Sequence, residues 1–162
     1  MRSGRKLYRR AGSDSGPPGP MARADADRAM VALYNLYYRP LVRLAALLVP
    51  DPVAAETIVQ DAFVDLHAAW PGRDDDAAIT FLRRRVVGRS RSEPAGLGPW
   101  RSGLPAALWA LPTRQREVLV LQYFADLPEE QVAAAAGISE AAVRSQVALA
   151  FSALRAELPP LN

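Results

Sequence analysis

The sequence contains no cysteine, which excludes disulfide bonds and thiolate metal sites and fits the reducing environment of the cytoplasm. It contains one histidine, so two histidines cannot share a metal ion. No apolar run approaches the roughly 18 residues that a membrane span requires, and the basic N-terminus lacks the apolar segment of a secretory signal. A glycine-rich phosphate loop is also missing. These absences predict a cytoplasmic protein that does not bind membranes, is not an enzyme and uses no cofactor.

Two features could suggest a cation site, and each has a simpler explanation. His67 stands at helical spacing beside Leu66 and Trp70, a setting typical of a half-exposed surface histidine. Three aspartates at 74–76 precede a predicted helix, but consecutive acids do not converge on one point. Negative charge is favourable at a helix N-terminus. We therefore expect a helix start at the aspartates, with neither a metal site nor a catalytic site in the chain.

The positive charge is almost all arginine, and it is unevenly distributed. Lys6 is the one lysine among 20 basic residues, a usage typical of GC-rich coding. Residues 1–10 hold five basic residues and no acid, and residues 83–91 hold five arginines and no acid. From residue 104 to the end, four arginines stand against six acids, which is a net charge of −2. Any attraction to an anionic partner should therefore be concentrated in the first part of the chain.

Apolar residues recur at helical spacing through most of the sequence, and the signals for strands are weak. Pro40 is expected to end or kink the first helix near Tyr38, and Asp51 is expected to cap the second. The helices are expected at about residues 25–48, 52–70, 75–90, 105–110, 113–124, 128–136 and 139–156.

A stretch rich in proline and glycine divides these helices into two groups. We predict a disordered basic arm at 1–24, a first helical module at 25–91, a linker at 92–104 and a second module at 105–158. Met21 could be the start of translation, in which case residues 1–20 are not made in the cell. The predicted fold class is all-α, with two small helical modules joined by a short linker.

The segment VAAAAGISEAAVRSQVALAF, residues 132–151, has the pattern of a helix-turn-helix motif. Its four alanines allow two helices to approach closely, Gly137 suits a left-handed turn, and Ile138 can fill the core between the helices. Ser139 is a good N-cap for the helix that follows. An ordinary antiparallel pair of helices would show similar signals, so this segment alone leaves both alternatives open.

The segment FLRRRVVGRSRS, residues 81–92, places its arginines along one side of a predicted helix. On that helix Arg84 lies near Arg91, and Arg85 lies near Arg89, which makes a basic stripe beside Phe81. Such a stripe suits a phosphate backbone or unstacked bases. The alternative is a basic face that is simply solvated.

Taken together, these segments resemble the extracytoplasmic-function sigma factors, which are small two-module bacterial initiation factors, and the arginine usage points to an actinobacterium. The resemblance covers about residues 28–92 and 104–156. AETIVQDAF, residues 55–63, is similar to the segment by which such factors bind RNA polymerase, and residues 79–92 are similar to the helix that opens the −10 element. Residues 110–155 resemble the −35-binding module. The resemblance implies a promoter-melting helical bundle followed by a helix-turn-helix module.

The resemblance also implies a role for individual residues, in a mechanism in which this chain makes no covalent bond. The residues implied in binding core RNA polymerase are Glu56, Val59, Gln60, Asp61 and Phe63. Those implied in binding the −10 strand are Phe81, Arg84, Arg85, Arg89 and Arg91. Those implied in the −35 groove are Ser139, Ala142, Arg144, Ser145 and Gln146. The expected partners are core RNA polymerase and promoter DNA, with an anti-sigma factor or a second regulatory protein as a further candidate.

Two features of the chain motivate an alternative to a sigma factor that directs promoter-specific initiation. Arg144 is the one cation of the predicted recognition helix segment 139–151, so electrostatic attraction to DNA is weak there. The linker is also short, since the 14 residues at 92–105 reach at most about 46–50 Å when fully extended. The alternative is a degenerate sigma-like regulator that binds polymerase or a partner protein but binds promoters weakly or not at all by itself.

Overall fold

The computed structural model describes residues 20–69, 74–94 and 103–157, apart from the side chains of residues 20–22 and 105. This part of the chain contains helices and turns, which confirms the predicted all-α class. Its α-helices are α1 (Pro20–Leu48), α2 (Pro52–Ala69), α3 (Asp75–Ser90), α4 (Gly103–Ala110), α5 (Thr113–Leu119), α6 (Glu129–Ala136) and α7 (Glu140–Glu157), and a π-helical turn, Val120–Phe124, follows α5. Residues 1–19 of the predicted arm lie outside the described residues.

The helices α1, α2 and α3 form the first module by packing their apolar stripes together. Side chains three or four positions apart share one face of a helix, so each helix contributes one stripe to the core. The largest contributions to this core are the buried side chains of Leu33, Leu41, Leu44, Ile58, Val59, Phe63, Leu82 and Val86. The core holds the arginine-rich outer side of α3 in a defined orientation.

The helix α1 is longer than the sequence predicts. It begins at Pro20, so the last five residues assigned to the arm are helical, and it continues through Pro40 instead of ending there. Proline removes one helical hydrogen bond. However, Leu33 and Leu41, on either side of Pro40, are each only 2% exposed. Packing on both sides of the proline therefore offsets the lost hydrogen bond.

Aspartates begin α2 and α3, as the sequence predicts. The Asp51 carboxylate accepts a hydrogen bond of 3.0 Å from the backbone N–H of Val53, and Asp74 accepts one of 2.7 Å from Ala77. The two aspartates that follow occupy the first turn of α3, where negative charge is favourable. The acidic run at 74–76 is therefore a helix start.

The helices α4 to α7 and the π-helical turn form the second module. The sequence predicts one helix over 113–124, but the Ala125 N–H donates to the Val120 carbonyl, five residues back, at 3.0 Å. This wider turn keeps Val120 and Leu121 in the core, while the side chain of Phe124 is 54% exposed. The turn thus places an aromatic side chain at the surface of the second module.

The pair α6–α7 has the geometry of a helix-turn-helix motif. Gly137 ends α6 in the left-handed conformation, with φ +69°, and the N–H groups of Gly137 and Ile138 both donate to the Ala133 carbonyl, at 2.9 and 3.1 Å. The Ser139 Oγ accepts a hydrogen bond of 3.2 Å from the Ala142 N–H and caps α7. The predicted turn and cap are both confirmed.

The two modules are in contact along α3 and α6, and α1 packs against the π-helical turn and α5. At this boundary Arg83 of α3 donates a hydrogen bond of 3.0 Å to the side-chain oxygen of Gln131 in α6. Burial lowers the pKa of the Arg83 guanidinium. The boundary therefore brings the arginine-rich helix of one module against the helix-turn-helix of the other.

Candidate nucleic-acid interface

All five residues predicted to contact the −10 strand line one cleft. They are Phe81, Arg84, Arg85, Arg89 and Arg91. The cleft has a volume of about 610 Å³, and its opposite wall consists of Ala135, Ala136 and Gly137, at the end of α6. Since α3 begins at Asp75 and ends at Ser90, one helix and the residue after it position the whole arginine set.

Two carboxylates of α2 orient the arginines of α3. Arg89 donates to Asp61 at 3.2 Å and to Asp65 at 2.8 Å, and the Arg85 Nε lies 3.6 Å from Asp65. The hydrogen bond with Asp65 raises the pKa of the Arg89 guanidinium. Arg85 also lies over the ring of Phe81, 5.1 Å from its centroid. The predicted polymerase contact Asp61 is therefore bonded to the arginine-rich face, and Asp65 is a member of that face that sequence reasoning missed.

The last arginine of the set makes a contact that the sequence does not predict. Arg91 donates from Nε to Oε1 of Glu117 at 2.6 Å and from Nη2 to Oε2 at 2.9 Å. The hydrogen bond with Glu117 raises the pKa of the Arg91 guanidinium. Glu117 is 1% exposed and belongs to α5, in the second module. A paired charge at this depth has no signature in a single sequence beyond an acid among apolar neighbours.

The predicted −35 residues lie at the start and along the outer side of α7. Arg144 and Ser145 are exposed, while Ala142 and Gln146 are half-buried and Ser139 is the N-cap. The Arg144 guanidinium is hydrogen-bonded to Glu129, in the first turn of α6. This ion pair holds Arg144 close to the helix-turn-helix and reduces the charge that it offers to a partner.

The predicted polymerase-binding residues of α2 do not all share one surface. Val59 is fully buried and Phe63 is 6% exposed, so both side chains belong to the core of the first module. The prediction that these two side chains contact polymerase directly is therefore corrected. Glu56 and Gln60 are exposed. The reason for the error is that the segment is apolar or small on nearly every side, which leaves its buried face ambiguous in sequence.

The exposed side of α2 includes two apolar residues that sequence reasoning missed. Val53 is 71% exposed and Val64 is 67% exposed. Together with Glu56 and Gln60 they follow a spacing of three or four residues, which places them on one helix face. The only sequence signal for them is that they fall opposite the buried residues once the core is known. We call these four residues the α2 stripe.

A helical bundle with an arginine-lined face, joined to a helix-turn-helix module, defines a DNA-binding protein of two modules. Two family models match the chain in this order, sigma-70 region 2 over residues 33–93 and sigma-70 region 4 over residues 103–154. RNA polymerase sigma-E factor of Streptomyces avermitilis is 32% identical over 145 residues, which is 73% of this chain and 78% of that protein. The sigma-E factor of Streptomyces coelicolor is 31% identical over 140 residues, with 73% and 79% covered.

Solved structures of similar fold agree with these relatives. CnrH, in complex with the cytosolic domain of CnrY, matches with a TM-score of 0.68 and 26% identity, over 84% of this chain and 91% of that chain. RpoE, in complex with the anti-sigma factor NepR from Bartonella quintana, matches with a TM-score of 0.57 and 22% identity, over 82% and 95%, and this second likeness concerns the fold. The chain belongs to the sigma-70 family of RNA polymerase sigma factors, in its extracytoplasmic-function form.

The protein is therefore a transcription initiation factor that binds core RNA polymerase and directs initiation at specific promoters, and it is not an enzyme. The comparisons do not support the degenerate regulator, because both sigma regions match and the region 4 match includes the helix-turn-helix. In the part of the chain that the structure describes, no helix combines the length and apolar character required to cross a membrane.

Proposed function

We propose that three separate faces of this sigma factor perform its three tasks. The arginine-lined cleft of α3 holds the −10 strand, the outer side of α7 enters the −35 groove, and the α2 stripe binds core polymerase. The observation that carries the proposal is the cleft, which brings together the five residues predicted to contact the −10 strand. We further propose that the protein acts in the cytoplasm, and that an anti-sigma factor binds it, as one binds RpoE of Bartonella quintana.

The cleft has the chemistry that a separated DNA strand requires. Phe81 offers a ring on which a base can stack, and Arg84 and Arg85 are exposed beside it. Arg84 forms no ion pair with any residue in the described part of the chain, so its full charge is available to a phosphate. Asp61 and Asp65 hold Arg89 in place from the α2 side. The strand is then bound by stacking and by phosphate contacts, while the first module supplies the rigid support.

The double variant Arg84→Ala/Arg85→Ala tests the role of this cleft. Because each phosphate contact releases counterions, losing two of them should lower the slope of log affinity against log salt by about 1.4 for single-stranded DNA. Fluorescence anisotropy with a −10 single-stranded oligonucleotide, in a series of salt concentrations with the polymerase holoenzyme, measures that slope. Arg39→Ala/Arg43→Ala removes two exposed arginines of α1 and is the matched control. An equal change of slope in both variants would mean that the effect is one of net charge and not of the cleft.

The proposed contact between the outer side of α7 and the −35 groove can be tested separately. Arg144→Ala should weaken −35-dependent promoter binding by about 1–3 kcal/mol, roughly 5- to 150-fold, because arginine can form two hydrogen bonds with a base edge in the major groove. Gel-shift titration of the holoenzyme on promoters with an intact and a scrambled −35 element measures this loss. Arg155→Ala, in the last turn of the same helix, is the control. If Arg144→Ala has the same effect on both promoters, Arg144 does not read the −35 element.

A further inference from the structure

The carboxylate that holds Arg144 comes from the other helix of the helix-turn-helix. Glu129 lies in the first turn of α6, and its Oε1 accepts a hydrogen bond from Nη1 of Arg144, in α7. The Glu129 side chain is 28% exposed, whereas the Arg144 side chain is 62% exposed. The acid is therefore the more enclosed member of the pair, and the arginine is the member that projects toward solvent.

The two helices that carry this pair are held together by a packed core. Val132 of α6 and Val143 of α7 are both fully buried. The turn between the helices is fixed by the hydrogen bonds that end α6 and cap α7. Negative charge is favourable in the first turn of a helix, so Glu129 occupies a suitable place even without Arg144. The position of its carboxylate relative to α7 is thus determined by the backbone and not by the arginine.

Neither stability nor affinity for DNA explains an acid at this place. An ion pair so close to solvent contributes little to the stability of the module, because water and salt screen its charges. The helix-turn-helix, residues 129–151, already holds three acids and one arginine. A carboxylate beside that arginine repels phosphates, so it weakens electrostatic attraction to DNA still further. The carboxylate therefore has a different role, which the geometry of the guanidinium indicates.

The bond to Glu129 leaves one edge of the Arg144 guanidinium open. A guanidinium carries five N–H groups. Within the described residues, Nη1 of Arg144 has a hydrogen-bond partner, and Nε and Nη2 have none. The edge formed by Nε and Nη2 therefore offers two parallel donors, which match O6 and N7 of a guanine in the major groove. Contacts with phosphates, by contrast, carry no sequence information.

We propose that Glu129 is a positioning residue for −35 recognition, which holds the Arg144 side chain with its Nε–Nη2 edge toward the bases and keeps it from the phosphate backbone. The proposal rests on the proposed contact between α7 and the −35 groove. Glu129 does not touch DNA and acts through Arg144. An arginine that is ordered before binding loses less conformational entropy on a correct site, while repulsion of the backbone weakens binding to every site. The pair thus lowers affinity and raises discrimination.

Glu129→Ala tests this role, and Glu130→Ala is the matched control. Glu130 is an exposed acid in the same turn and forms no ion pair in the described part of the chain, so each variant removes one negative charge from the start of α6. Gel-shift titration of the holoenzyme gives the ratio of its affinities for promoters with an intact and a scrambled −35 element. Glu129→Ala should lower this ratio by about 2- to 12-fold, the cost of ordering one long side chain on binding. Glu130→Ala should raise both affinities and leave the ratio unchanged.

A salt series separates positioning from a simple loss of charge. On the scrambled promoter, Glu129→Ala should steepen the slope of log affinity against log salt by about 0.9 relative to Glu130→Ala, because the released Arg144 then neutralises one duplex phosphate. In an Arg144→Ala background, Glu129→Ala should leave the affinity ratio unchanged, since the acid acts through the arginine. The thermal midpoint of Glu129→Ala should stay within about 4 °C of the wild type, because the pair is exposed.

The outcomes distinguish the role of Glu129 from the contact that it serves. If Arg144→Ala lowers the affinity ratio and Glu129→Ala does not, the positioning role is wrong and the contact of α7 with the −35 groove stands. An equal loss in Glu129→Ala and Glu130→Ala, or a loss that persists in the Arg144→Ala background, also overturns the positioning role. If Arg144→Ala keeps the ratio of the wild type, the contact of α7 is rejected, and the role of Glu129 with it.

Discussion

Replacing both Arg91 and Arg114 with alanine should lower the free energy of unfolding by about 3–5 kcal/mol, because it leaves a buried carboxylate without a cationic partner. Glu117 is 1% exposed, and its hydrogen bonds come from those two arginines. Each single alanine variant leaves one arginine on the carboxylate and should cost about 1 kcal/mol. The loss in the double variant should therefore exceed the sum of the two single losses.

Chemical denaturation followed by far-UV circular dichroism, on the wild type, both single variants and the double variant, gives this double-mutant cycle. We expect a coupling free energy of about 1–3 kcal/mol between the two arginines. Adding Glu117→Gln to the double variant should restore part of the stability, because a neutral amide is less costly to bury than an unpaired charge. Additive losses in the cycle would show that the two arginines do not substitute for each other on Glu117.

Truncating Phe63 to alanine should lower the free energy of unfolding by about 3–5 kcal/mol, because it leaves a cavity in the core of the first module. Phe63 is 6% exposed, and its ring centroid lies 5.1 Å from that of Tyr34. Its neighbour Val64 is 67% exposed and belongs to the α2 stripe. Val64→Ala should change the free energy of unfolding by less than about 0.5 kcal/mol.

The two variants should also differ in how they affect binding to core polymerase. Phe63→Ala should reduce the amount of folded protein, and the folded fraction should bind normally, whereas Val64→Ala should weaken binding in a fully folded protein because apolar contact area is lost. Denaturation curves together with pull-down of core polymerase at matched folded concentrations measure both effects. If the Phe63→Ala protein is stable but binds core polymerase weakly, Phe63 contacts polymerase directly. If Val64→Ala and Val53→Ala both bind core polymerase normally, the α2 stripe does not form the polymerase-binding surface.

The helix-turn-helix shows which features can be read along the chain. The predicted roles of Gly137 and Ser139 depend on backbone conformation and on hydrogen bonds to residues at most four positions away. The caps at Asp51 and Asp74 are local in the same way. Such interactions are determined by sequence neighbours, so they could be predicted before any packing was known. The arginine-rich side of α3 was predictable for a different reason, because a charged stripe is not placed in a core.

The helix α2 shows where prediction from the chain fails. Its apolar and small residues occupy nearly every side, so periodicity does not distinguish Val59 and Phe63, which are buried, from Val53 and Val64, which are exposed. Pro40 is a second case, because its local effect on α1 is offset by core contacts that come from other helices. In both cases the outcome depends on which side of a helix its neighbours cover.

Local patterns along the chain establish that this protein is helical, that it has two modules, that its second module carries a helix-turn-helix and that its arginines gather on one helix. Each of these depends on spacing within a helix or on hydrogen bonds within a turn. Packing between helices determines which residues of α2 face outward, and it pairs Arg91 with a buried glutamate 26 residues further along the chain. These outcomes are not visible along the chain because burial and charge pairing depend on distances between helices, and the packing of all the helices together determines those distances.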